Sequence, residues 1–152
     1  MTEILVAYDD SAPAKAALDA AAAEARDRRA KLAVLAVLEL PVSPNEPRAY
    51  GTMGDGPSAS GPYVAPPEIE AVLDAAKQRL APTGVHATYI WAAGPPAEVI
   101  VEASEARNVA LVVLGQGHHG MLGRFFGSDI AHEVEAHLGR QVLAVEGDDG
   151  AG

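Results

Sequence analysis

The chain has 152 residues, 49% hydrophobic and only 5% aromatic, with 21 acidic against 11 basic residues for a net charge of −10. That length suits one compact domain with an aliphatic core, and the acidic balance repels nucleic acid and anionic lipid unless basic side chains cluster. Apart from Arg26, Arg28, Arg29 and Lys31 they are spread thinly, and the absence of cysteine excludes disulfides, thiol catalysis and cysteine metal sites.

The opening MTEILVAYDDS has no basic n-region and reaches an aspartate pair at once, which is not the pattern of a signal peptide. No apolar run approaches the length of a membrane span. A soluble, cytoplasmic protein is expected.

Short aliphatic runs then alternate with helical patterns. Residues 4–8, 32–40, 85–91, 109–114 and 142–145 read as strands, continuous enough in Val, Leu and Ile to be covered on both faces. Ser11 caps an alanine-rich helix from about Pro13 to Arg29; Pro66 opens one to Leu80, Pro95 one to Arg107, and Ser128 the last. Strand and helix in regular alternation predict right-handed βαβ units. The expected fold is α/β: a doubly wound, five-stranded parallel sheet of flavodoxin-like or Rossmann-like type, strand order 3-2-1-4-5.

Residues 1–146 are read as a single domain. Within it, residues 41–65 hold five prolines and four glycines, the composition of a long flexible loop. Tyr50, Met53 and Tyr63 would be its contacts if it closed over a ligand; a solvated connection is the simpler reading. The tail, residues 147–152, is expected to be disordered.

Two places at the carboxyl edge of such a sheet carry chemistry. One is Asp9-Asp10-Ser11, after the first strand. The other follows the fourth: LVVLGQGHHGMLGRFFG, with Gly115, Gly117, Gly120, Gly123 and Gly127, running into Ser128 and an amphipathic stretch. Glycines that bare the backbone where helix amides emerge provide a phosphate cradle without lysines. In the 3-2-1-4-5 order both places flank the switch point, where ligands bind.

Two apparent catalytic signals fail. His132-Glu133 and His137 resemble a zinc-protease motif, but the histidines stand five apart, about 140° around a helix. The glycine loop lacks the lysine of P-loop enzymes. No catalytic set is defined, and catalysis is at most slow ATP hydrolysis. His118, His119 and Arg124 read as surface residues.

The chain resembles the universal stress protein family over almost its whole length. ILVAYDDSAPAKAAL is similar to that family's first strand and helix, and GPPAEVIVEASEARNVALVVLG to its third helix and fourth strand. The family's nucleotide-binding branch carries Gly, two residues, Gly, nine residues, then Gly-Ser or Gly-Thr. Gly117, nine residues and Gly127-Ser128 fit the second part, while Gly115-Gln116-Gly117 is one residue short in the first.

The resemblance implies an adenine nucleotide, ATP or else ADP or AMP. Asp9 would lie near the ribose and adenine, Ala7 and Val37 would line the base, and Gly115, Gly117, Gly127, Ser128 and Asp129 would hold ribose and phosphates. Asp10 and Asp129 put carboxylates beside a polyanion, so Mg²⁺ or Mn²⁺ with the phosphates is a further expectation. The resemblance also implies a homodimer through the last strand, at Val142, Leu143 and Val145. The leading function is an ATP-binding stress-response regulator. The alternatives are a dimeric interaction or chaperone-like module of the same fold without nucleotide, and a slow ATP hydrolase.

Overall fold

A computed structural model describes residues 2–38, 50–53, 66–116, 134, 136 and 141–146. The first strand, β1 (Glu3–Ala7), leads through α1 (Ala12–Arg28) to β2 (Lys31–Leu38). A short strand β3 (Tyr50–Met53) precedes α2 (Pro67–Leu80) and β4 (Ala87–Ala93). Then come α3 (Pro96–Arg107), β5 (Leu111–Gln116) and β6 (Gln141–Glu146). Val134 and Ala136 are helical, within the run expected to form the last helix.

The sheet order is β3-β4-β2-β1-β5-β6. Its five long-range neighbours β4, β2, β1, β5 and β6 pair in parallel, which is the expected 3-2-1-4-5 order counted over the parallel strands. The addition is β3, antiparallel to β4 from Tyr50↔Ala92 to Met53↔Tyr89. It falls inside the stretch read from composition as a loop. The prolines and glycines around it masked four residues that satisfy the otherwise bare edge of β4.

Each helix boundary has a local cause. Ser11 caps α1, its Oγ accepting from the Ala14 amide at 3.2 Å. At α2 and α3 no side chain caps the helix; Pro66-Pro67 and Pro95-Pro96 fix the entry backbone, and proline at the first helical position loses no helical hydrogen bond. Arg29 and Asn108 end α1 and α3 in the left-handed conformation, at φ of 53° and 51°.

Alternation along β1 divides the core between the two faces of the sheet. Ile4, Val6 and Tyr8 join the alanines of α1 and Leu73, Ala76 and Leu80 of α2. Leu5 and Ala7 join Val99 and Ile100 of α3 and the fully buried Val134. Both faces are thus covered, which explains why the parallel strands read as continuous aliphatic runs. No helix among the described residues is long and apolar enough to cross a membrane.

Candidate functional site

The crossovers diverge on the two sides of β1, since β2 lies on one side and β5 on the other. The carboxyl ends of β1 and β5 therefore mark the switch point expected from the sequence. On the β2 side the backbone ties neighbouring ends: the Tyr8 amide after β1 donates to Leu35 O of β2, and the Gly94 amide after β4 to Leu38 O of β2, both at 2.9 Å.

The junction from β1 to α1 is a compact polar turn. Asp9 Oδ1 accepts from the Ser11 amide at 3.1 Å and from Ser11 Oγ at 2.5 Å, while Ser11 Oγ in turn holds the Ala14 amide. Asp9 and Ser11 thus begin α1 together; Asp9 caps the turn, and Ser11 caps the helix. Burial pushes the Asp9 carboxyl above its ordinary range, against the lowering pull of its bonds to Ser11.

Between them Asp10 adopts φ of 64°, in the left-handed region. Its Oδ1 accepts from the Tyr8 hydroxyl at 2.8 Å and lies 4.0 Å from Lys15 Nζ. Tyr8 is almost wholly buried. Burial and the Asp10 carboxylate drive its phenol well above the ordinary tyrosine range, so it remains a hydroxyl donor throughout the physiological range.

The sequence-predicted residues separate into two groups. Ala7 is buried and Val37 half-buried on the α3 face of the sheet, at the carboxyl ends of β1 and β2, with Ala92 beside them in the same apolar cluster. Asp9 stands just beyond Ala7. These three lie at the carboxyl edge of β1 and β2. Gly117, Gly127, Ser128 and Asp129 lie outside the described residues, as do His118, His119 and Arg124.

Gly115 is placed differently from a loop glycine. It is buried within β5, paired with Val145 of β6. A Cβ there would stand 2.5 Å from the carbonyl carbon and oxygen of Pro13 and 2.8 Å from the Ala14 amide nitrogen. Glycine at this position lets the first turn of α1 close onto β5. The first turn of α1, which follows the polar turn at Asp9–Ser11, is thereby packed against β5.

Two features of the turn were missed in the sequence: the left-handed backbone of Asp10 and the Tyr8 hydroxyl that engages it. A tyrosine ending an otherwise aliphatic strand, two residues before an aspartate, was the available signal. Among the described residues, no group of three or more His, Asp or Glu side chains could hold a metal ion.

The model of the universal stress protein family matches residues 1–146. The chain belongs to the universal stress protein family. Three solved structures are similar to this universal stress protein in fold. One is a universal stress protein in complex with cAMP, 22% identical, covering 97% of this chain and 98% of that one, with a TM-score of 0.66. Another is the universal stress protein of Archaeoglobus fulgidus in complex with dAMP, 20% identical over 95% of this chain and 98% of that one, TM-score 0.61. The third is a family protein of Arabidopsis thaliana with AMP bound, 14% identical over 97% and 93%, TM-score 0.58. No curated protein matches the sequence significantly.

Proposed function

We propose that this universal stress protein binds an adenine nucleotide, ATP in the first place, and acts as a cytoplasmic stress-response regulator in dimeric form. The observation that carries this reading is the meeting of Ala7, Val37 and Asp9 at the switch point, beside the end of β5. Small and aliphatic side chains there give an adenine ring a flat apolar floor. Asp9 Oδ1 is engaged by the Ser11 amide and hydroxyl. The Asp9 carboxylate at this edge would accept from ribose hydroxyls.

Phosphates would then extend along the loop after β5 to the amides of Gly117, Gly127, Ser128 and Asp129, with the Ser128 hydroxyl adding a donor. Gly115 serves this arrangement indirectly, by letting α1 approach β5. Asp10 and Asp129 would sit near the polyanion, and Mg²⁺ or Mn²⁺ would offset that repulsion. Relatives of the same fold crystallised with cAMP, dAMP and AMP support the adenine part of the reading.

A second reading, a dimeric interaction module without nucleotide, is favoured by one observation: the glycine spacing is a residue short, and its first glycine is buried in β5. Mass spectrometry of small molecules released from the purified protein separates the two. An adenine nucleotide at a stoichiometric level supports the first reading; its absence, together with no ATP binding, supports the second.

A further inference from the structure

The turn that presents Asp9 and Ser11 contains a residue with a Cβ in the left-handed conformation. Asp10 is left-handed at φ of 64°, a region open to glycine but unfavourable for a residue with a Cβ. Aspartate tolerates it when its carboxylate is engaged locally, and here the engagement is specific. The Tyr8 hydroxyl donates to Asp10 Oδ1 at 2.8 Å from a ring held rigidly beneath α1 and α2. Lys15, one turn into α1, approaches the same oxygen at 4.0 Å.

Asp10 is the link between Asp9 and Ser11, so its φ fixes how the two face each other. Asp9 Oδ1 can receive both the amide and the hydroxyl of Ser11 only while the turn holds this shape. We propose that Tyr8 is a positioning residue: through its bond to Asp10 it latches the left-handed turn and so aims the Asp9 carboxylate into the crevice. The affinity part of this inference rests on the nucleotide reading above; the latch itself does not.

Removing the hydroxyl frees Asp10 to leave the left-handed region, and Asp9 and Ser11 lose their mutual alignment. A glycine at position 10 holds φ of 64° without help, so the hydroxyl becomes redundant. The two changes are therefore coupled in a way that a purely packing role for the Tyr8 ring does not produce.

A double-mutant cycle of Tyr8→Phe and Asp10→Gly tests this with two readouts. One is ATP affinity by calorimetry; the other is hydrogen exchange of the Ser11 and Ala14 amides. In the natural background Tyr8→Phe is expected to weaken ATP binding about tenfold and to speed exchange of both amides by a similar factor. In the Asp10→Gly background the same change leaves both within about twofold. Comparing Tyr8→Phe within each background cancels the effect of removing the Asp10 charge. Equal cost in the two backgrounds, or no change in exchange in either, would overturn the latch. If the natural protein does not bind ATP, the nucleotide reading fails, and amide exchange still decides the latch.

Discussion

Gly115 in β5 lies so close to Pro13 in the first turn of α1 that a Cβ would stand 2.5 Å from the proline carbonyl. The neighbouring atoms are backbone, which cannot rotate aside. Gly115→Ala is therefore expected to force α1 and β5 apart and to destabilise the fold by roughly 2–3 kcal/mol. Urea denaturation of the two proteins measures it. A change near zero would mean that the helix shifts freely, and that the close approach does not shape the crevice.

The Asp9 carboxyl is pushed by burial above its ordinary value of 3.8, which sets the sign of a pH effect. A raised value in the folded state favours the protonated form. Its stabilising contribution is thus complete below about 3.8 and is lost as pH rises through the folded value. Asp9→Asn keeps an acceptor for Ser11 without the buried charge. Its stability relative to the natural protein should improve from acid toward neutral pH, while its nucleotide binding weakens. Denaturant midpoints across that pH range supply the check; a relative stability that falls toward neutral pH contradicts the assignment.

Much of this was legible in the sequence. The five parallel strands follow from aliphatic runs separated by helices with serine or proline starts, because a sheet buried on both faces leaves that signature, while their order came with the doubly wound fold class. Asp9 was placed at the carboxyl edge by topology, whereas Ala7 and Val37 were named only through the family resemblance. What stayed hidden depends on contacts distant in sequence. Gly115 looked like part of a phosphate loop, since nothing local reveals that Pro13 closes on it. Tyr50–Met53 was obscured by surrounding proline and glycine, because its pairing is decided by β4.

Two bidentate ion pairs of similar length should differ in worth. Arg79 meets Asp19 between α2 and α1 at 2.9 and 2.8 Å, with side chains 40% and 55% exposed. Arg107 meets Glu3 between α3 and β1 at 2.8 and 2.9 Å, with side chains only 29% and 13% exposed. Arg79→Met is expected to cost under about 1 kcal/mol, less in high salt. Arg107→Met should cost about 2 kcal/mol, since it strands a largely buried carboxylate. Chemical denaturation at low and high salt checks both magnitudes.

The sheet ends at β6, which pairs with β5 on one side. Among the described residues no strand covers its other edge, and Val142, Leu143 and Val145 are only half-buried while Ala144 is exposed. An edge of this kind favours pairing with a second copy. Sedimentation equilibrium should report a dimer, shifted toward monomer by Ala144→Lys. A natural protein that sediments as a monomer at every concentration would remove the dimer from the proposed function.

The most direct test of the nucleotide reading is a calorimetric titration of ATP into the natural protein and into Gly127→Val, with and without Mg²⁺ or Mn²⁺. Saturable binding at one site per chain, lost in Gly127→Val and strengthened by the metal ion, is the expected result. No heat of binding under either condition, from protein shown to be folded, would contradict the nucleotide reading.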